Sequence, residues 1–336
     1  MRKGSMIVFM APSYTDGMPL PADLLRRDAE EAVRLIALDL LSQARGAAPR
    51  CLDPEDAEGL HDFRVSIRRL RSTLSAWKGL LRGVVKKRDR RTLAGFQRRT
   101  GAGRDTEVAL VWLAEQVDEL ESVYGPGCAW VERRLRLELR AQSGDENRAV
   151  CSEFTEWAGG FESRVADRVP AGGAGPPYSQ ALSERLEWIA HRLEARVNCI
   201  GDDRKRGPHR VRIAGKRLRY LVEPVRAQSD VVISLVERCK RLQDVLGTLN
   251  DANVLGDLLR GLRDEVQEST AEEPGVLELC RLNWLRADSS YRSFRLDWLE
   301  DGGMRTLLDE AAALARQLRD ADDLSDRRPT PPRASG

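Results

Sequence analysis

One histidine and several basic residues recur at helical spacing in two places in this sequence. The segments His61–Arg71 and His209–Arg219 share the pattern H-x2-R-x3-[RK]-R-L-R. At about 100° per residue, the cations three, seven and ten positions after the histidine fall with it in a stripe about 80° wide. The stripe contains His61, Arg64, Arg68 and Arg71 in the first segment and His209, Arg212, Lys216 and Arg219 in the second. Arg69 and Arg217 project to the edge of their stripes, and Tyr220 lies near the basic edge of the second.

Such stripes favour binding of a multiply charged anion. Like charges three and four residues apart on a helix repel by a few tenths of a kcal/mol per pair, so a ligand is needed to offset the cost. Arginine binds phosphate oxygens through bidentate, charge-assisted hydrogen bonds. Cations every ~5 Å along a helix match the spacing that a linear polyphosphate can follow. We therefore predict that the arginines and the lysine neutralise phosphates, while the histidines and the tyrosine donate hydrogen bonds.

A second match follows each basic segment. The turn-like sequence Gly-x2-[Arg/Asn]-Asp ends at Asp105 in the first half and at Asp251 in the second. The histidine and this aspartate are 44 and 42 residues apart, respectively. Two linked matches at nearly equal separation predict an internal repeat of roughly 145 residues. We expect the two aspartates to cap helices.

Charge is concentrated in the repeated regions. The whole chain of 336 residues has a formal net charge of only +2, with 55 Lys and Arg against 53 Asp and Glu. The stretch from His61 to Arg104 has a local net charge of +12, and that from Arg204 to Arg241 has +9. A polyanionic ligand therefore has a place to bind on a protein that is nearly neutral overall.

The elements that must position these residues are predicted to be helices. Apolar residues recur every three or four positions, for example from Val33 to Leu41 and from Val108 to Val117. Aromatic residues make up only 5% and no long alternation occurs, so strands are not expected. Glycine and proline breakers divide the chain. We expect an N-terminal tail (1–20), a first helical repeat (21–168), a linker (169–177), a second helical repeat (178–322) and a disordered C-terminal tail (323–336).

Several classes of protein are disfavoured by what the sequence lacks. No apolar run approaches the ~18–20 residues of a membrane span, and the first residues do not resemble a signal peptide. The six cysteines lie 23 or more residues apart, which is typical of buried free thiols in a reducing compartment. The sequence has none of the patterns GxGxxG, GxxxxGK[ST], GxSxG or HExxH.

The two basic segments and the two Gly-x2-[Arg/Asn]-Asp sequences resemble those of CHAD domains, which are histidine-containing α-helical domains. The second basic segment, His209–Glu223, carries the most specific part of the resemblance, which spans about residues 20–320. The resemblance implies an all-α fold of two pseudo-twofold-related helical bundles, produced by an internal duplication and enclosing a basic groove or pore. It also implies binding of inorganic polyphosphate by a recognition module that is not an enzyme and needs no cofactor.

Two other functions remain open from the residues themselves. A metal-dependent phosphohydrolase could use the paired histidines, but arginines beside them would repel a cation. A nucleic-acid-binding protein would also use phosphate contacts, but no aromatic residue alternates with the basic ones to stack bases. We expect a cytoplasmic polyphosphate-binding protein that can localise to polyphosphate granules and has no membrane partner.

Overall fold

The computed structural model describes residues 20–51, 53, 56–101, 103–142, 145–167, 175–201 and 203–326. These residues are helical and contain no strand; an isolated bridge joins Asp28 and Pro177. The α-helices are α1 (Ala29–Arg50), α2 (Ala57–Ala76), α3 (Lys87–Arg99), α4 (Arg104–Val117), α5 (Gly125–Gln142), α6 (Asp145–Ala166), α7 (Tyr178–Asn198), α8 (Arg206–Val222), α9 (Asp230–Glu265), α10 (Glu273–Ser293) and α11 (Gly303–Asp326). A π-helical segment, Phe294–Glu300, continues α10. The prediction of an all-α protein is confirmed.

The predicted tails and linker lie largely outside the described residues. Residues 1–19, 168–174 and 327–336 are not described. Helix α11 continues to Asp326, four residues past the predicted end of the second repeat. The end of the predicted linker is held in place, because the backbone N–H of Gly175 donates to Asp28 Oδ2 at 2.6 Å.

Aspartates fix the starts of the two helices that carry the basic segments. The Asp56 carboxylate accepts from the backbone N–H groups of Glu58 and Gly59 and caps α2. The Asp203 carboxylate accepts from the N–H groups of Lys205 and Arg206 at the start of α8. These bonds satisfy donors that the helix itself leaves unpaired. Both basic segments therefore begin on an anchored helical turn.

The apolar faces of α2 and α8 lie opposite their basic stripes, as the periodicity predicts. Ile67, Leu70 and Leu74 of α2 are fully buried, and so are Val211, Leu218 and Val222 of α8. In the described residues these side chains belong to one large apolar cluster with members from both halves of the chain. A smaller cluster joins α4 and α5 to α9 and α10. The two halves are therefore joined through a shared interior.

Packing of the helices brings the two basic segments together. Helix α1 packs on α2, α6 and α7, whereas α7 packs on α8 and α11. Helix α2 also contacts α8 directly, and α9 packs along α8 and α10. The two motif helices thus meet near the centre of the molecule.

Glycines permit close approach at two pairs of positions, each 148 residues apart. A Cβ atom on Gly59 would lie 2.6 Å from the Arg50 backbone, and one on Gly207 would lie 2.7 Å from the Ile200 backbone. Similarly, a Cβ on Gly127 would lie 2.3 Å from the Glu272 carbonyl oxygen, and one on Gly275 would lie 2.3 Å from a backbone oxygen. Only glycine fits these crossings without a shift of backbone.

Two details of the structure differ from the simplest interpretation of the sequence. Val111 and Val117 of α4 are about half exposed, because the buried face of that helix is formed by Ala109, Trp112 and Leu113. Asp251 lies in the interior of the continuous helix α9, so it cannot cap a helix start.

The cysteines are also less uniform than predicted. All six are free, and Cys128, Cys151 and Cys239 are buried. Cys199 is exposed, while Cys51 and Cys280 are partly buried. The expectation of buried thiols therefore fails at Cys199, which follows the last residue of α7 where the chain leaves the helix.

Candidate functional site

The centre of the candidate site is a cluster of four cations contributed by both halves. We call Arg64 and Arg68 of α2 with Arg212 and Lys216 of α8 the basic cluster. Arg68 interacts electrostatically with each of the other three. Four positive groups are therefore held together at the contact between the two motif helices.

A direct hydrogen bond joins the halves at this point. The Arg68 Nε–H donates to Tyr220 Oη at 2.7 Å, across 152 residues of sequence. The Tyr220 side chain is buried, and the guanidinium groups of Arg68 and Arg219 lie 5.9 and 5.0 Å from its ring centroid. Tyr220 therefore accepts a hydrogen bond and fixes the orientation of Arg68, while its own O–H is left as a donor.

Three members of the basic cluster have no directly bonded partner among the described residues. Within the described part of the chain, Arg64, Arg212 and Lys216 form neither a side-chain hydrogen bond nor an ion pair. The Nε atom of Arg212 is buried with no acceptor. Unpaired cations inside a protein are costly, because burial removes their hydration. A bound anion would recover part of that cost.

The electrostatic cost is visible in the pKa values. Burial, and then the charges of Arg212, Arg68 and Arg219, lower the pKa of Lys216 to about 7. Burial is also the largest cause that lowers the pKa of Arg64 and of Arg212. A decrease from 10.5 to about 7 means that the charged form of Lys216 is on the order of 5 kcal/mol less favourable here than in water. The cluster is thus poised to gain from negative charge.

The two predicted histidines lie in different surroundings. Burial lowers the pKa of His61, and the nearby charges of Arg104 and Arg68 lower it further against the raising effect of Glu58. His209 is exposed, and its Nδ1 lies 2.9 Å from Asn250 Oδ1. His61 therefore adjoins the basic cluster, whereas His209 is positioned by α9 at the outer end of α8.

Two of the predicted phosphate ligands, Arg69 and Arg219, each form an ion pair with Glu223 inside the protein. Glu223 Oε2 lies 3.1 Å from Arg69 Nε, and Glu223 Oε1 lies 3.0 Å from Arg219 Nε. The three side chains are only 12–15% exposed. Because Arg69 comes from α2 and Arg219 from α8, this triad ties the two motif helices together beside the basic cluster.

Two further predicted ligands lie apart from the cluster. The Arg71 side chain donates to Gln97 of α3 and faces the charge of Arg98. Arg217 is exposed and lines a cleft between α7 and α8, beside Trp188 and Arg192. The prediction that Arg69 and Arg217 act alike at the groove edge therefore does not match their surroundings, since one is paired internally and the other faces outward.

The sequence interpretation missed the roles of several charged groups around the cluster. Asp105 and Asp251 both act electrostatically on Arg212, as counter-charges to the site and not as caps. Arg104 acts on both Arg64 and His61. Arg286 of α10 is half-buried beside Asp251, with a buried Nη1 that has no acceptor. The linked Gly-x2-[Arg/Asn]-Asp match carried the signal for Asp105 and Asp251.

The site offers little to a metal ion. Among the described residues there is no group of three His, Cys, Asp or Glu side chains placed to hold one. The charged groups that act on His61 are mixed: Glu58 and Asp62 would attract a cation, whereas Arg104 and Arg68 would repel it. No helix in the described part of the chain has the length and apolar character of a membrane span.

The fold and the paired basic helices define a class of all-helical proteins with a central cationic site. The family model of the CHAD domain matches residues 35–260, and the chain belongs to that family. The fold is similar to the crystal structure of the CHAD domain from the plant Ricinus communis, at 21% identity and a TM-score of 0.62 over 89% of this chain and 97% of that one. It is also similar to PptA from Streptomyces chartreusis, at 17% identity and a TM-score of 0.52 over 78% and 98%. No curated protein matches the sequence.

Proposed function

We propose that this protein binds inorganic polyphosphate at the basic cluster, as a recognition module and not as an enzyme. The observation that carries the proposal is the set of three unpaired, partly buried cations, Arg64, Arg212 and Lys216, gathered from both halves of the chain. Polyphosphate offers the repeated negative charge that such a set requires. Membership of the CHAD family supports the same ligand.

The two halves supply equivalent parts of one groove in this proposal. Arg64 and Arg68 correspond to Arg212 and Lys216 at a separation of 148 residues. The glycine pairs that allow close backbone approach have the same separation, which supports an internal duplication. A linear anion that spans both helices gains from simultaneous contact with both sets.

The side chains have distinct roles. Arg64, Arg68 and Arg212 bind phosphate oxygens in pairs, and Lys216 contributes a point charge. His61 donates a hydrogen bond when bound phosphate favours its protonated form. Tyr220 and the triad of Arg69, Glu223 and Arg219 keep the two helices in register. In this proposal His209, Arg71 and Arg217 contact phosphate groups of the same chain that lie beyond the basic cluster.

A metal-dependent phosphohydrolase is the alternative that the histidines leave open. It would need carboxylate ligands grouped with His61 or His209. Glu58 and Asp62 act on His61, but Arg104 and Arg68 also act on it and would repel a metal ion. The binding proposal predicts that purified protein contains no stoichiometric metal and releases no orthophosphate from polyphosphate. Measurement of metal content and of released phosphate distinguishes the two functions. We place the protein in the cytoplasm, including at polyphosphate granules.

The direct test is a titration of purified protein with long-chain polyphosphate, followed by calorimetry. The double variant Arg64→Ala with Arg68→Ala should weaken binding at least about 100-fold, since each charge-assisted contact contributes ~1.5–3 kcal/mol. The variant should remain folded, because it removes repulsion between cations.

A matched control uses two cations at the same spacing elsewhere. Lys87 and Arg91 lie four residues apart on α3, are exposed, and form no ion pair with described residues. Lys87→Ala with Arg91→Ala removes the same net charge but should change the affinity less than about threefold. Equal losses in the two double variants would mean that binding depends on overall charge and not on the basic cluster.

A further inference from the structure

A second basic surface lies on the side of α8 that faces α7. The cleft between these helices has a volume of about 190 Å³. Its lining includes Trp188, Arg192 and Arg196 from α7 and Arg210, Ile213 and Arg217 from α8. Among the described residues, no acidic side chain lines it. Because Arg217 points here while Arg212 and Lys216 belong to the basic cluster, the two surfaces occupy different faces of α8.

The four arginines of this cleft have no carboxylate partner among the described residues, although the Arg192 guanidinium contacts the Trp188 ring. Within the described residues, Arg192, Arg196, Arg210 and Arg217 form no ion pair. The three acids of α7 are not among the residues that line the cleft. Glu184 accepts from Gln180, Glu187 pairs with Arg319 at 2.6 Å, and Glu194 lies 3.7 Å from His191. Asp203 acts electrostatically on Arg210 but is exposed and holds the start of α8. The cleft therefore keeps an excess of positive charge.

An exposed aromatic ring distinguishes this cleft from the basic cluster. Trp188 is 49% exposed, which is unusual for the largest apolar side chain. The guanidinium groups of Arg185 and Arg192 lie 5.3 and 4.8 Å from its ring centroid. Tryptophan and the planes of arginine both stack on nucleobases. The sequence signal was present as arginines at the third position before and the fourth and eighth after Trp188.

The cleft joins an aromatic surface to phosphate-binding groups over a short distance. Ile189 and Ile213 supply apolar walls beside the ring. The volume of the cleft suits part of a small ligand and not a long strand. The arginines also cluster around one ring, whereas a strand would need them to follow an extended groove. We propose that the α7–α8 cleft binds a free nucleoside polyphosphate, with the base on Trp188 and the phosphates on Arg192, Arg196, Arg210 and Arg217.

The test compares ATP with inorganic triphosphate by calorimetry at fixed salt. The protein used is the full chain carrying Arg64→Ala and Arg68→Ala, so that binding of triphosphate at the basic cluster is weakened. We expect ATP to bind at least about tenfold more tightly than triphosphate, because only ATP can stack. Trp188→Ala should abolish that preference, and Trp188→Phe should restore part of it.

Two matched controls separate the site from surface effects. Trp284 of α10 is 60% exposed and lies in a different concavity, so Trp284→Ala should leave the preference for ATP unchanged. Arg192→Ala with Arg196→Ala should weaken ATP binding at least about tenfold, while Lys87→Ala with Arg91→Ala should not. Equal affinity for ATP and triphosphate, or an unchanged preference in Trp188→Ala, would overturn the proposal. Tighter binding of a single-stranded oligonucleotide than of ATP would overturn the choice of a free nucleotide. None of these outcomes depends on polyphosphate binding at the basic cluster.

Discussion

At the scale of single residues, Lys216 sets an expected pH dependence. Burial and the neighbouring charges lower its pKa in the free protein to about 7, and bound phosphate should raise it again. The charged groups that act on it are Arg212 and Arg219 of α8, Arg68 of α2 and Asp251 of α9. Binding above pH 7 therefore takes up a proton. The contribution of Lys216 to polyphosphate affinity is constant below pH 7 and decreases above it. Affinity should fall by up to about tenfold per pH unit above pH 7, measured by calorimetry.

The variant Lys216→Arg is the control for this titration. Arginine remains charged throughout the range, so its polyphosphate affinity should not fall between pH 7 and 9. A fall of equal size in the wild type and in Lys216→Arg would assign the pH dependence to another group.

The same lysine affects the stability of the free protein in the opposite direction. Its unfolded pKa of 10.5 is higher than its folded pKa of about 7, so the unfolded state binds more protons between these values. The free energy of unfolding therefore increases as the pH rises from 7 to 10.5, because the buried lysine loses its charge. Below pH 7 the lysine is charged in both states, and its burial destabilises the folded protein to the full extent. Stability and affinity are thus opposed at this residue.

Glu223 is expected to matter for stability, since it neutralises two arginines that are 14% and 15% exposed. Glu223→Gln would leave Arg69 and Arg219 without their counter-charge. The free energy of unfolding, measured with urea, should decrease by about 2–4 kcal/mol. Glu237→Gln, at a more exposed carboxylate that pairs with Arg226 and Lys240, should cost less than about 1 kcal/mol. Similar losses in both variants would mean that the triad does not join the helices.

At the scale of helices, the glycine crossings predict a loss of stability on substitution. Gly127→Ala would place a Cβ 2.3 Å from the backbone of α10, where no flexible side chain can move away. We expect a loss of ~1–3 kcal/mol or more in the free energy of unfolding, from a lowered urea midpoint. Gly95→Ala in α3 meets no atom within 4 Å and should stabilise the protein by up to ~1 kcal/mol. An unchanged midpoint for Gly127→Ala would show that the helices separate easily there.

The sequence predicts elements better than it predicts partners. Periodicity alone identified the helices and the buried faces of α2 and α8, because burial of Leu70 and Leu218 is imposed by their position on one face. It could not distinguish Arg69 from Arg217, which occupy equivalent positions but meet different neighbours. Arg69 is paired because Glu223 lies across the contact between halves, which no local pattern reveals.

The aspartates show a second limit. Asp105 and Asp251 were recognised as a matched pair, but a turn was inferred from the glycines that precede them. In the first half a break does separate α3 from α4, whereas in the second half Gly247 lies inside the continuous helix α9. Tertiary packing overrides the weak helix-breaking tendency of a single glycine there.

At the scale of the whole molecule, the concentration of charge predicts a strong salt dependence. Binding that releases counterions makes log K fall linearly with log salt, at about 0.7 per phosphate contact for a single-stranded anion. Four to eight contacts give a slope of roughly −3 to −6 for polyphosphate. Measurement of Kd from low to moderate salt tests this. A slope near zero would show that the basic surfaces do not form the binding site.

The central claim is that both halves bind one anion together, and the stoichiometry of a calorimetric titration tests it most directly. The protein used carries Arg192→Ala and Arg196→Ala, so that binding at the α7–α8 cleft is weakened, and a short polyphosphate of defined length should bind one per chain. In that background Arg64→Ala with Arg68→Ala, and separately Arg212→Ala with Lys216→Ala, should each weaken binding strongly at unchanged stoichiometry. Two anions per chain in that background, reduced to one of unchanged affinity in either double variant, would contradict a shared site.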